Sequence, residues 1–118
     1  MMEGRDPRIY LDDIVGAGGK AIRFTEGISF DEFDRDDRTS FAVVRALEII
    51  GESAKRVPPA VRDRAPEIPW QDMAGMRDKL IHGYHGVELR VVRRTVREDL
   101  PDLIAAVRIL RRQFDDAG

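Results

Sequence analysis

"AVVRALEIIGESAKRVPP", residues 42–59, decides the class of this chain. Val43, Leu47, Ile50, Ala54 and Val57 recur every three or four positions. That is the spacing of one face of an α-helix, not the alternation of a strand. Pro58 and Pro59 then stop the helix, because proline has no amide hydrogen and its ring clashes with the preceding turn. The pattern predicts a long helix from about Asp37 with this stripe buried.

Working toward the N-terminus, Ser29 followed by Glu32 is a capping box that opens a short helix through Phe33. Gly27 suits the end of an earlier helix. That helix starts at Asp6-Pro7, with Asp as N-cap and Pro at the first helical position. It buries Leu11, Ile14, Val15, Gly18, Ala21 and Ile22. Gly16, Gly18 and Gly19 weaken it by roughly 1 kcal/mol each relative to alanine, and a closely approaching neighbour helix is one reason to keep them. The cluster is no phosphate loop, since it follows no strand and lacks a Gly-Lys-Ser/Thr ending.

Toward the C-terminus, residues 58–69 hold four prolines and at most one helical turn. Pro69 can start the next helix, with Trp70, Met73, Leu80 and Ile81 on its apolar face and Gly83 and Gly86 ending it. "VELRVVRRTVRED", residues 87–99, reads as a short helix with Leu89, Val92 and Val96 inward. Pro101 opens the last helix, packing through Leu103, Ile104, Val107, Leu110 and Phe114. No segment alternates strictly and no Asn-Gly or Asp-Gly turn occurs. The expectation is an all-α protein: an antiparallel four-helix bundle with short accessory helices, residues 1–118 forming a single domain.

Apolar residues make up 42% and charged residues 36% of the chain, enough for a core with salt-laced outer faces. There is no cysteine, hence no disulfide framework and no thiolate metal site. No apolar run approaches the roughly 20 residues of a membrane span, and "MMEGRDPR" has no apolar signal segment, so a cytoplasmic protein is expected. The net charge of −2 argues against a general nucleic-acid coat. Residues 1–37 carry 5 basic and 10 acidic side chains, whereas residues 75–118 carry 9 and 7. A phosphate-bearing partner would prefer the C-terminal half.

"GMRDKLIHGYHG", residues 75–86, holds both histidines of the chain, His82 and His85. Histidine exchanges a proton near neutral pH, and arginine grips phosphate oxygens bidentately. Arg77 with His82 is therefore a candidate pair for metal-free phosphodiester cleavage. Five residues at 100° each place His82 about 140° round the helix from Arg77. Either the helix loosens at Gly83 or a two-fold partner completes the site. The purely structural alternative is an arginine at the edge of the apolar stripe and a histidine bonding helix C-terminal carbonyls. A metal at His82 and His85 would need Asp78 or Glu88, which have no reason to converge, so no metal and no cofactor is expected. Arg90, Arg93, Arg94 and Arg97 follow helical spacing and form one basic stripe, either a phosphate-tracking surface or a solvated face. Arg108, Arg111 and Arg112 add another.

At "MRDKLIHGYHGVELRVV" the chain resembles the HepT-like toxins of the HEPN superfamily of prokaryotic ribonucleases. Their signature is an arginine, four residues, a histidine, any residue and a tyrosine, here Arg77, His82 and Tyr84, with the polar Asp78 after the arginine in a supporting place. "RIYLDDI", "FTEGISFDEF", "LEIIGESAKRVP", "PEIPWQDMAGMRDKLIHGY" and "EDLPDL" also look like that family, in order, over nearly the whole chain. The resemblance implies an all-α homodimer that joins two Arg-His motifs in one cleft. It also implies metal-independent endoribonuclease activity and an antitoxin of the MntA type, a small nucleotidyltransferase that attaches AMP to Tyr84. His85, the arginine-rich residues 90–97 and the glycine cluster depart from the family pattern. The rival reading is a non-catalytic HEPN-like helical partner or nucleotide-binding subunit of a nucleotidyltransferase. A bare dimerisation bundle is a third.

Overall fold

Asp6 opens α1 (Pro7–Thr25) by accepting the Arg8 amide at 3.0 Å, and Pro7 sits in the first turn, where no amide hydrogen is needed. The computed structural model describes residues 6–82 and 88–117, with the backbone alone at 77, 79–82, 116 and 117. After α1 the chain turns at Gly27, whose φ of +73° is the left-handed conformation that a missing Cβ permits. Ser29 and Glu32 then bond reciprocally, at 3.1 and 2.8 Å, to open α2 (Phe30–Arg35). Phe33 of this single short helix is fully buried.

Asp36 caps α3 (Asp37–Arg56) through the Thr39 amide at 3.1 Å and hydroxyl at 2.7 Å. These donors hold the Asp36 carboxyl below the usual carboxylate range. The stripe of Val43, Leu47, Ile50, Ala54 and Val57 is buried as its spacing predicts. One turn, α4 (Pro59–Arg62), interrupts the proline-rich stretch. In α5 (Trp70–His82) the Trp70 indole N–H donates to the Ala65 carbonyl at 3.1 Å, so the ring is buried without an orphaned donor. The side chains of Leu80 and Ile81, expected on the apolar face, lie outside the described residues.

The last part of the chain differs from the sequence expectation. In place of two helices separated before Pro101 there is one unbroken rod: α6 (Leu89–Arg94), a π-helical segment (Thr95–Asp99) and α7 (Leu100–Ala117). In a regular α-helix the Pro101 ring would meet the carbonyl four residues earlier, that of Arg97. The π turn widens the ladder there, with the Leu100 amide bonding Thr95 five residues back. The proline is absorbed without a break.

α1 packs against α3 and α7, and α3 against α5. Gly18 lies beside Ile104, and Asp12 bonds Arg111, so α7 runs antiparallel to α1. Among the described residues there is no strand, and the protein is all-α. No helix is long and apolar enough to cross a membrane among the described residues. The side between α5 and α7 is occupied by a cleft rather than by close packing.

Of the three clustered glycines only Gly18 meets a neighbour helix. A Cβ added there would fall 2.6 Å from Cγ1 of the buried Ile104, whereas one at Gly16 meets nothing within 4 Å. Gly18→Ala is therefore expected to destabilise by about 1–3 kcal/mol through overpacking, partly offset by its better helix propensity. Gly16→Ala should stabilise by up to about 1 kcal/mol. Urea unfolding of the two variants checks this, and a stabilised Gly18→Ala would show that α1 and α7 are not in close contact.

Candidate active site

α5 carries the Arg77 and His82 positions, and it is α-helical through His82. The backbone therefore keeps the two Cα atoms about 140° apart around the helix axis; Gly83, where the alternative places a loosening, lies outside the described residues. The side chains of Arg77 and His82, and all of Gly83, Tyr84, His85 and Gly86, lie outside the described residues.

Asp78, the polar residue after the motif arginine, is described. Its Oδ1 lies 3.2 Å from Nζ of Lys55, joining α5 to the last turn of α3. Both groups are close to half exposed, so the pair contributes little stability, at most about 1 kcal/mol. Its effect is positional: it fixes a lysine beside the motif. Sequence reading missed Lys55, because nothing local marks a residue 23 positions away as a neighbour. In the same turn Arg56 chelates Glu52 at 2.8 and 3.1 Å, which raises the guanidinium pKa, with a smaller contribution from Tyr10.

The four arginines read as one stripe have different surroundings. Arg90 stacks 4.0 Å over the Phe30 ring. Arg93 donates to the Ile28 carbonyl at 2.6 Å. Arg97 donates to the Ile22 carbonyl at 3.2 Å and to the Thr25 hydroxyl at 3.3 Å. Arg94 is exposed, with no ion pair or hydrogen bond among the described residues. The cause lies in α1, whose last carbonyls have no helical donor and carry the negative end of the helix dipole. Arg97 reaches across to satisfy that end and Arg93 bonds the Ile28 carbonyl just beyond it, tying the segment that follows the motif onto the α1–α2 turn. In the second group, Arg111 is clamped between Asp12 at 2.7 Å and Asp115 at 2.8 Å, which raises its pKa, while Arg108 and Arg112 are exposed.

Arg93→Ala should therefore cost about 1.5–3 kcal/mol of stability, the range for a hydrogen bond to a charged group. Arg94→Ala should stay within about 0.5 kcal/mol of the unaltered chain. Denaturant midpoints compare them directly. Equal stabilities would mean that the Arg93–Ile28 bond does not persist in solution.

A family model described as "Ribonuclease HepT-like" matches residues 16–110, a span that includes Arg77, Asp78, His82 and Tyr84. The chain is 49% identical over 108 residues to "Probable ribonuclease HepT" of Thermococcus cleftensis, covering 92% of this chain and 98% of that one. It is 42% identical over 99 residues to "Putative RNase TTE0752" of Caldanaerobacter subterraneus subsp. tengcongensis, covering 84% and 88%. No solved structure matches. The length of these matches, together with the all-α fold beneath them, shows that the chain belongs to the HepT-like family of the HEPN superfamily.

Proposed function

We propose that the chain is a metal-independent endoribonuclease, the toxin of a toxin–antitoxin pair. The observation that carries this reading is the complete Arg77, His82 and Tyr84 set in the sequence of a chain of this family. The names of its relatives as ribonucleases support the substrate class.

In the proposed reaction a ribose 2′-oxygen attacks the adjacent phosphorus and the bond to the 5′-oxygen breaks. His82 takes the 2′-OH proton and returns a proton to the leaving oxygen. Arg77 stabilises the charge that develops on the phosphate oxygens. The products are a 2′,3′-cyclic phosphate and a 5′-hydroxyl. Because the helical backbone separates Arg77 from His82, a second copy of the chain supplies the missing half of each site. Asp78, held by Lys55, supports the motif. Exposed Arg94 contacts the flanking RNA backbone, joined by Arg90, Arg93 and Arg97.

A pair of His and Arg needs no metal to carry out this transesterification. Incubating the purified protein with total RNA, with and without EDTA, and sequencing the new ends tests the reading. Cleavage undiminished by EDTA and ends bearing cyclic or 3′-phosphate are expected. Activity lost in EDTA and restored by a divalent ion would sink the mechanism.

A further inference from the structure

The open side of the bundle holds a cleft of about 410 Å³ between α5 and the rod that contains the π segment and α7. Its floor is apolar. Met73 and Leu100 are buried there, and Met76 and Leu103 are partly covered. Its rim carries Glu67, Asp72, Glu98, Asp99 and Asp102, all exposed. Among the described residues no lysine or arginine lines it.

Elsewhere on the surface several carboxylates have cationic partners. Asp12 and Asp115 pair with Arg111, Glu48 with Arg45, Glu52 with Arg56 and Asp78 with Lys55. None of the five rim groups makes an ion pair among the described residues. Like charges gathered without counter-charges repel one another, and a cationic partner would relieve that repulsion. An apolar floor asks for more than a cation, because burying it needs aliphatic or aromatic surface. Methionines suit such a floor, since their unbranched chains repack around differing side chains. An RNA backbone is repelled by the same rim, so the cleft is not a continuation of the path proposed for the substrate.

We propose that this cleft docks a basic amphipathic helix of a partner protein, with apolar side chains on Met76 and Leu103 and lysines or arginines on the rim. This is the helix-in-groove mode of recognition, with charge supplying orientation and rate. The inference is independent of the ribonuclease reading, because it is tested by binding and not by cleavage.

The methionines make the test direct, since Met73 and Met76 line the cleft and the other two, Met1 and Met2, lie outside the described residues. The full chain, labelled at the methionine methyls with ¹³C, is titrated with a Lys/Leu amphipathic peptide of about four helical turns. A Glu/Leu peptide of the same pattern and spermine serve as comparisons. The Lys/Leu peptide should move the Met73 and Met76 signals. Its affinity should fall about tenfold or more in the triple variant Asp72→Asn, Glu98→Gln, Asp102→Asn, and likewise for the unaltered chain at high salt. No movement of the two signals, equal binding of the Glu/Leu peptide, or affinity indifferent to both the variant and salt would overturn the proposal. Spermine acting as strongly as the peptide would assign the cleft to a small cation instead. Signals that shift on simple dilution of the protein would assign it to a second copy of this chain.

Discussion

Arg77→Ala and His82→Ala should each lower RNA cleavage by roughly 10²–10⁴-fold, the usual worth of positioned acid–base and electrostatic groups. The fold should survive both changes. Val43, Leu47 and Ile50 of α3, with Trp70 and Met73 at the start of α5, are buried whatever stands at 77 or 82. Single-turnover cleavage of one RNA, with circular dichroism beside it, measures both properties. Near-normal cleavage by either variant would remove that residue from the site, and unfolding of both would favour a structural role. Mixing the two inactive variants adds a sharper test. If Arg77 of one copy works with His82 of the other, a mixed dimer contains one intact site and regains part of the activity. If each site lies within one chain, the mixture stays inactive, and the shared cleft is wrong.

Tyr84→Phe should abolish transfer of AMP by the cognate nucleotidyltransferase. The reason is chemical: phenylalanine keeps the ring and loses the only oxygen that can attack the α-phosphorus of ATP and expel pyrophosphate. On a continued helix position 84 would fall within about 20° of position 77. An AMP group there would bring a base and a negative phosphate into the space meant for RNA. It would compete for Arg77 and repel the backbone of the substrate. Intact-mass measurement after co-expression should show added AMP on the unaltered chain and none on Tyr84→Phe, which should remain an active ribonuclease. Modification that persists in the phenylalanine variant would place it on another residue.

Much of the helical layout is legible in residue order because its signals are local. Asp6-Pro7, Ser29 with Glu32, Gly27 and Pro58-Pro59 each act within a turn of themselves, and each marks an element boundary in the structure. Pro101 misleads for the same reason. Read alone it is a helix start, and only the five-residue bond from Leu100 to Thr95 shows how a helix can pass through it. The Arg77, His82 and Tyr84 motif is legible as a family resemblance. Its surroundings are not. Lys55 reaches Asp78 across 23 positions, Arg93 reaches Ile28 across 65 and Arg97 reaches Ile22 across 75. Such pairings depend on which helices meet, and periodicity within one helix carries no information about that. The glycine cluster shows the same limit, since helix crowding is anticipated for the group and found at Gly18 alone.

The π turn at Thr95–Asp99 has an angular consequence. An α-helix advances about 100° per residue, and a segment that closes its bonds over five residues accumulates less rotation over the same count. The rod is therefore two helices joined end to end but out of phase. The face that α7 turns toward α1, through Ile104, cannot be extrapolated back past residue 95 by counting in threes and fours. Arg97 lies inside the slipped turn and Arg90, Arg93 and Arg94 lie before it. Closing this ladder into a regular α-helix without removing a residue would bring the rod into a single phase and rotate α6 by about 100° about its axis. Arg93 would swing away from the Ile28 carbonyl while α7 stayed seated on Gly18. The slip acts as a vernier, setting the orientation of the segment after the motif independently of the helix that anchors it.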